Sequence, residues 1–204
     1  MNRRRFLSQA TATSFVLMSA PGKAASANDG REGKVIISLG MIPTANYRFV
    51  YLNFRMRSGE HRDYFSYHRD DTIFSSDRDF DDQSENGIVK VLTLASGEWG
   101  IVGYSAYAGV TEFGPSADFF VPFTVLPDEA VYIGNYEMIT KWGKNWLGMK
   151  MEYDPTFVVA DKSQRDIPIA KRKDPSIANV TIAVPVIAAT NPYFSSSRPV
   201  GSEL

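Results

Sequence analysis

The sequence predicts an all-β protein: an antiparallel β-sandwich with one or two short helical turns near the C-terminus. Short runs of alternating apolar and polar residues are typical of half-buried strands, and Gly, Pro, Asn and Asp between them supply turn chemistry. The 13 Phe and 10 Tyr also favour strands over helices. With 204 residues, of which 44% are hydrophobic, the chain is long enough for one domain with a substantial core.

The strongest strand pattern lies in residues 118–138, where two apolar arms flank a Pro-Asp-Glu turn that starts at Pro127. Because apolar residues alternate along the first arm, we expect the two arms to pair as a hairpin. Pro122 lacks a backbone N–H and therefore predicts an edge strand or a bulge. Gly134 inside the second arm predicts a bulge or a close backbone approach.

The remaining chain supplies further strands and a short helical segment. Strands are expected at 35–39, 45–57, 88–94, 99–107, 146–153, 157–159 and 179–184. Asp161 and Gln164 have the spacing of a capping box, whereas Pro168 interrupts any long helix, so the helical turns are expected between 162 and 173. The domain is expected to span 28–184, and the Ser- and Pro-rich segment 185–204 is expected to be a flexible tail.

The N-terminus has the pattern of an export signal. Arg3 and Arg4 followed by Phe6-Leu7 match the twin-arginine type, and a weakly apolar stretch follows. An A-x-A site predicts cleavage after Ala27, so residues 1–27 form the signal peptide. The Sec route remains open. Either route predicts a periplasmic or secreted product.

Composition excludes several classes of protein. The signal holds four of the 22 basic residues and no acidic one, which leaves 18 basic against 23 acidic side chains, a formal charge of −5. That sign disfavours a nucleic-acid partner. The absence of Cys excludes disulfides, thiolate metal sites and a lipidated cysteine. No second apolar stretch reaches membrane-spanning length, so the processed protein is not expected to span a membrane.

The acidic segment 59–87 is the candidate metal site, and we expect it to be a long, mostly solvated loop. The residues at positions one, three and five of an EF-hand register are Asp77, Asp79 and Asp81. Asp82 stands where the EF-hand loop requires Gly, and Ile88 stands where it requires a bidentate Glu, so the full motif fails. A looser Ca²⁺ site that uses Glu85 or backbone oxygens is one interpretation, and a solvated acidic loop is the other.

Catalytic patterns are incomplete. His61 and His68 with one of Asp63, Asp70 and Asp71 could supply three zinc ligands, but the H-E-x-x-H spacing is missing. Ser105 lacks the G-x-S-x-G elbow because Tyr107 stands where the second Gly belongs. No phosphate-binding or dinucleotide-binding motif is present. We therefore assign no catalytic residue and no cofactor other than the candidate Ca²⁺.

Aromatic and basic side chains offer two binding hypotheses. The residues that could form a glycan-stacking platform are Trp99, Tyr104, Tyr107, Trp142 and Trp146. Such large aromatic side chains equally suit the core or rim of a sandwich. The run from Lys171 to Lys173 could meet an anionic surface, or it could be a solvated helix face.

Three motifs carry a family resemblance. Residues 94–99 have the form L-x-x-G-x-aromatic, and Asp161 with Asp166 forms a D-x-x-x-x-D stretch. A further motif, F-x-V-x-P-G-E-x-x-Y-I-G-N, is matched by Phe123, Val125, Pro127, Glu129, Tyr132, Ile133, Gly134 and Asn135. These motifs resemble those of a group of uncharacterised bacterial envelope proteins and lipoproteins, with Asp128 in place of the usual Gly.

The resemblance implies a small sandwich of transthyretin-like or carboxypeptidase-regulatory-like shape, and it carries no activity. Lipid anchoring does not transfer, because this chain has no lipobox cysteine. The sequence thus favours an exported, non-catalytic binding or structural module of the bacterial cell envelope, with an envelope protein or a glycan as partner. The alternative is a hydrolase or metal-dependent enzyme with its site in 59–87.

Overall fold

The computed structural model describes residues 31–69, 78–144 and 146–198. The predicted signal peptide and Asp77 lie outside these residues. Two packed β-sheets and one short helix confirm the predicted all-β sandwich. Within the described residues, no helix has the length and apolar character needed to cross a membrane.

The chain forms twelve strands and one helix within the described ranges. In chain order they are β1 (Glu32–Met41), β2 (Phe49–Met56), β3 (Arg62–His68), β4 (Phe80–Asp81), β5 (Asn86–Ala95), β6 (Gly97–Ala108), β7 (Thr111–Phe113), β8 (Val121–Val125), β9 (Ala130–Lys144), β10 (Lys150–Ala160), α1 (Ser163–Lys173), β11 (Val180–Ile182) and β12 (Phe194–Ser195).

The two sheets differ in their pairing. The seven-stranded sheet has the order β12-β10-β9-β1-β5-β4, and β11 also pairs with β9. It is mixed, because β1 and β11 run parallel to β9 and β12 runs parallel to β10. The five-stranded sheet is antiparallel, with the order β3-β2-β6-β7 and β8 beside β6. The main hydrophobic core fills the space between the sheets.

The predicted hairpin over 118–138 is wrong. Both arms are strands, but β8 pairs with β6 in one sheet, whereas β9 pairs with β1 in the other. At the turn between them, Asp128 adopts a positive φ of 59° and its N–H donates to the Glu32 carbonyl. The turn is thereby tied to β1 and carries the chain across the core. Alternation defines which face of a strand is buried but does not define its neighbour.

The acidic segment is more ordered than the sequence predicts. Arg62–His68 forms strand β3 at the edge of the five-stranded sheet, with Phe65 and Tyr67 in the core. At the other end of the segment, Glu85 is buried. The prediction of a mostly solvated loop is therefore wrong for these parts. The many acidic residues of the segment indicated a solvated loop, although the inward-facing side chains of its short strand are aromatic.

The bulge predicted at Gly134 is confirmed. The register between β1 and β9 shifts so that Ile133 and Gly134 together stand opposite Ile37. Residues three apart on a regular strand face opposite sides, yet Ile133 and Tyr136 both lie in the main core. Gly134 makes the extra residue possible, because its φ of +109° is one that side chains with a Cβ rarely adopt.

The edge position predicted for Pro122 is also confirmed, since β8 pairs only with β6 within the described strands. The short helical segment predicted near the C-terminus is confirmed, and Pro168 does not interrupt it. α1 is one continuous helix of 11 residues that contains Pro168. Burial of Ile169 and Ala170 against the outer face of the seven-stranded sheet compensates for the hydrogen bond that Pro168 cannot donate.

The C-terminal segment is not a free tail over its whole length. Tyr193 and Phe194 are buried, and the Phe194 ring stacks on Phe157 at 5.3 Å between ring centroids. Strand β12 pairs with β10. The prediction of a flexible tail over 185–204 is therefore wrong for this part, because aromatic anchors follow the Pro- and Ser-containing stretch.

We predict that Gly134→Ala destabilises the protein by about 2–3 kcal/mol, because it strains the backbone and brings the new Cβ to 3.1 Å from Val184. The melting temperature should fall by roughly 4–12 °C. Gly109→Ala is the matched control, since Gly109 also has a positive φ of 60° but open space around it. Gly109→Ala should destabilise the protein by only about 1 kcal/mol. Equal losses in the two variants would show that the bulge has no special requirement for glycine.

Candidate functional site

The two predicted calcium ligands within the described residues are already bonded to protein groups. The Asp79 carboxylate accepts from the Val89 N–H at 2.6 Å and pairs with Lys173. The Asp81 carboxylate pairs with Arg78 at 2.7 Å. In the described ranges, no three His, Cys, Asp or Glu side chains form a group that could hold a metal. Asp77 lies outside those ranges, so the calcium site stays a prediction.

The two histidines do not converge. His61 precedes β3, and His68 is its last residue. Seven residues of extended chain separate them by about 23 Å. Ser105 lies within β6, so the strand-to-helix turn of a hydrolase nucleophile is not formed there.

A buried polar network lies between α1 and the outer face of the seven-stranded sheet. We use this name for Ser38, Glu85, Tyr132, Asn135, Arg165 and Asp166. Its carboxylates are deeply buried charges, because the side chains of Glu85 and Asp166 are 4% and 0% exposed. The network combines residues from the helix, from β1 and β9, and from the turn before β5.

Arg165 is the centre of this network. Its guanidinium donates from Nε to Asp166 at 2.7 Å and from Nη1 to Glu85 at 2.9 Å. Its third nitrogen donates to Asn135 Oδ1 at 3.0 Å. The guanidinium also lies 3.5 Å from the ring centroid of Phe80, which is a close cation–π distance. One planar cation thus joins α1 to two carboxylates and to β9.

The other members complete the hydrogen bonding of the two carboxylates. Asp166 Oδ2 accepts from the Tyr132 hydroxyl at 2.7 Å and from the Ser38 hydroxyl at 2.5 Å. Asn135 donates from Nδ2 to Glu85 Oε1 at 2.7 Å. Every oxygen of the two carboxylates therefore has a donor, which is the condition under which buried charges are tolerated.

The electrostatic environment raises the pKa of two members of the network, Tyr132 and Arg165. Burial, followed by the neighbouring Asp166 carboxylate, raises the pKa of Tyr132, so its hydroxyl remains a donor. Burial by itself would lower the pKa of Arg165, but Asp166 and Glu85 outweigh it and raise the pKa. The donors and acceptors of the network are hydrogen-bonded to one another, and these bonds hold α1 on the sheet.

Sequence reasoning found this network only in part. Tyr132, Asn135 and Asp166 belong to the motifs of the family resemblance, and Glu85 entered as an alternative calcium ligand. Ser38 lies in an otherwise apolar strand and Arg165 in a polar helix start, so neither gave a signal. A polar residue within a buried β1 was the one feature that could have indicated a partner on a covering element.

A second candidate site lies on the outer side of the five-stranded sheet. Its exposed and half-buried rings, here called the aromatic face, belong to Phe49, Tyr51, Tyr64, His68 and Tyr107. Phe49 and His68 stack at 3.9 Å between ring centroids, and Tyr51 lies 6.3 Å from Tyr64. No described helix or strand packs over these rings, and Tyr64 is 61% exposed.

Polar side chains border a groove at the Tyr64 end of this face. The groove has a volume of about 410 Å³ and is lined by Asn53, Phe54, Arg55, Arg62, Asp63, Tyr64, Val102 and Gly103. A Cβ at Gly103 would lie 3.2 Å from Asn53 Nδ2. The absence of a side chain at Gly103 therefore makes the groove deeper at this point. The site therefore offers one exposed ring beside planar hydrogen-bonding groups.

The predicted platform of five aromatic residues does not form. Trp99 and Tyr104 are 2% and 1% exposed, because both lie in the main core. Trp142 and Trp146 belong to the exposed β9–β10 hairpin, and Tyr107 is the one member on the aromatic face. Alternation along β2, rather than the tryptophans, marked the face that carries the rings.

A larger cleft of about 770 Å³ lies where the start of β1 meets the turn at 127–129 and the segment 176–181. Its two cations are paired, since Lys34 binds Asp174 and Arg31 lies 3.4 Å from Asp128. The described residues that line it include no aromatic ring. This cleft is thus less suited to specific recognition than the aromatic face.

The fold and these surfaces define a β-sandwich with one covered and one open outer face. Neither a protein-family model nor a curated protein matches the chain. A leucine-rich repeat protein from Bacteroides thetaiotaomicron is similar over 66% of this chain and 19% of that chain, with 13% identity and a TM-score of 0.33. At this level the similarity supports no argument, and the family resemblance stays a prediction.

We predict that Arg165→Ala destabilises the protein by about 3–5 kcal/mol, because it leaves two buried carboxylates without their cation. Urea unfolding of the mature chain measures the loss. Arg172→Ala, at an exposed position on the same helix, is the control and should change stability by about 0.5 kcal/mol or less. A loss at Arg165 no larger than at Arg172 would show that the network does not hold the helix.

We predict that the buried carboxyl group of Glu137 makes the stability of the fold depend on pH. Burial, followed by repulsion from Glu85, raises the pKa of Glu137 above its ordinary 4.5, although Arg198 opposes the shift. A raised carboxyl pKa contributes stability that is complete below the unfolded value and is lost as pH rises through the folded value. Relative to Glu137→Gln, the wild-type protein should therefore lose stability as pH rises from the ordinary value of 4.5 towards neutrality. A relative gain in urea unfolding over that window would contradict this assignment.

Proposed function

We propose that this protein is an exported, non-catalytic module of the bacterial cell envelope that binds a glycan on the aromatic face. The observation that carries the proposal is the open row of rings beside the polar groove on the five-stranded sheet. Export rests on the twin-arginine pattern at Arg3 and Arg4 and on the A-x-A site that ends at Ala27.

The chemistry of the face favours a sugar ligand. The C–H face of a pyranose ring is apolar and stacks on aromatic rings, while its hydroxyls need hydrogen-bond partners in the plane of the ring. Tyr64 supplies an exposed ring and Arg55 supplies a guanidinium in the same groove, which Asp63 also lines with its carboxylate bonded to the Tyr64 N–H at 2.7 Å. Guanidinium and carboxylate groups can each bind two neighbouring hydroxyls.

The size of the face favours an oligosaccharide over a single sugar. Tyr64 and His68 point to the same side of β3 and are four residues apart, which corresponds to about 13 Å. This distance exceeds the length of one hexose ring. A chain of several sugars can therefore contact the groove at Tyr64 and the stacked rings at Phe49 together.

The structure offers no comparable support for the alternative of a hydrolase or metal-dependent enzyme in 59–87. His61 precedes β3 and His68 is its last residue, so the two are far apart, and Asp79 and Asp81 are paired with cations. The buried polar network is enclosed beneath α1 and its charges are mutually satisfied. A binding module therefore accounts for more of the observed arrangement than an enzyme does.

We predict that the mature protein binds an oligosaccharide and that Tyr64→Ala weakens this binding at least tenfold, by about 1.4 kcal/mol or more. Calorimetric titration with tetrasaccharides of glucose and of N-acetylglucosamine, together with co-sedimentation with insoluble cell-wall glycan, measures it. Arg55→Ala should weaken binding as well, because a guanidinium is lost from the groove.

Trp146→Ala is the matched control, since Trp146 is 91% exposed but lies on the β9–β10 hairpin and not on the aromatic face. It should bind the oligosaccharide like the wild type. The glycan proposal fails if the folded wild-type protein binds none of these sugars, or if Tyr64→Ala binds them as tightly as the control. Binding of an envelope protein through Tyr64 would instead retain the face and change the ligand class.

A further inference from the structure

The β9–β10 hairpin extends beyond the rest of its sheet. β9 pairs with β1 as far as Met138, opposite Met41. From Ile139 to Lys144 its strand partner within the described residues is β10, with Lys144 opposite Lys150. The hairpin therefore ends as a two-stranded ribbon, in which Ile139 and Thr140 are still buried and Trp142 and Lys144 are exposed. The exposed end of the ribbon can contact a neighbouring surface.

The tip of this ribbon exposes large apolar side chains. Trp146, Leu147 and Met149 are 91%, 57% and 55% exposed, and Trp142 is 44% exposed. Single exposed apolar residues are normal on protein surfaces, but a cluster at one point indicates an interaction site. We call Trp142, Lys144, Trp146, Leu147 and Met149 the hairpin tip.

The charge of this segment is opposite to that of the whole mature chain. Residues 141–150 contain Lys141, Lys144 and Lys150 and no acidic residue, whereas the chain after the signal has a formal charge of −5. The local positive charge favours anionic partners for the tip. The partner must therefore accept tryptophan and be negatively charged.

We propose that the hairpin tip docks on the surface of an anionic phospholipid bilayer. Tryptophan favours the membrane–water interface, where its ring is in the apolar zone and its N–H remains hydrated. Lysine can extend its amine to the phosphates while its methylene stem covers apolar surface. Protein interfaces are instead depleted in lysine, so the combination of Trp and Lys fits a lipid surface better.

This contact is peripheral. Four apolar side chains at a hairpin tip can enter the headgroup boundary, but the ribbon does not cross the bilayer. Each lysine near an anionic surface strengthens binding by about fivefold, and this gain falls with salt. The membrane contact is independent of the aromatic face, because the two sites use different strands and different residues.

Vesicle co-sedimentation of the mature protein tests the proposal. Phosphatidylcholine vesicles with phosphatidylglycerol should bind the protein, and vesicles of phosphatidylcholine alone should bind it much less. Added salt should weaken binding, and tryptophan fluorescence should shift to the blue on binding. Lys144→Glu should weaken binding by about 25-fold, since it removes one attraction and adds one repulsion. Trp146→Ser should weaken it by about tenfold.

Two control variants show whether vesicle binding belongs to the hairpin tip. Val110→Ser changes an equally exposed apolar residue in the β6–β7 turn and should leave vesicle binding unchanged. Tyr64→Ala should lose the glycan but retain the vesicles, so failure of one site is distinguishable from failure of the other. The proposal is overturned if the wild type binds no anionic vesicle, if binding is independent of phosphatidylglycerol, or if folded Trp146→Ser and Lys144→Glu bind like the wild type.

Discussion

The extra residue at Gly134 is the constraint on which the rest of the structure depends. Before the bulge, Tyr132 faces α1, and after it Asn135 faces the same way, while Ile133 and Tyr136 both enter the main core. Without the extra residue, the side chains beyond it would change faces, because strand side chains alternate with a period of two. One backbone irregularity thus allows β9 to contribute side chains both to the main core and to the buried polar network.

The buried network then determines where the helix lies. Arg165 bonds to Glu85, Asn135 and Asp166 through one planar guanidinium, so α1 can dock in one register with all charges satisfied. Buried ion pairs need not add net stability over apolar packing, but a displaced helix would leave charges unpaired at high cost. The network therefore specifies a unique position for α1, and the helix covers one outer face of the sandwich.

The covering of one sheet leaves the other available for recognition. The outer face of the seven-stranded sheet is packed by α1, whereas the outer face of the five-stranded sheet exposes Tyr64 and the stacked pair Phe49 and His68. The two proposed interactions also lie on separate elements, the glycan on β2 and β3 and the lipid on the β9–β10 hairpin. A module of this design could hold a wall glycan close to a membrane surface.

The sequence predicted strands, the edge position of Pro122 and the bulge at Gly134, because each follows from local backbone chemistry. It did not predict that β8 and β9 belong to different sheets, since alternation contains no information about a strand's neighbour. It treated 59–87 as mostly solvated, although Phe65 and Tyr67 of β3 lie in the core. The network was found only in part, because Ser38 and Arg165 acquire their roles only when the helix folds back onto the sheet.

A two-dimensional amide NMR titration of the protein with a tetrasaccharide of glucose or of N-acetylglucosamine tests the central claim most directly. The claim is that the aromatic face binds the ligand, whereas the sheet face covered by α1 has a structural role. We expect chemical-shift changes in β2, β3 and the facing part of β6, around Asn53, Tyr64 and Gly103, and no changes around Arg165 and Asp166. Changes centred on α1 and the buried polar network would contradict this division of roles, because they would place the ligand at the charged cluster to which we assign a structural role.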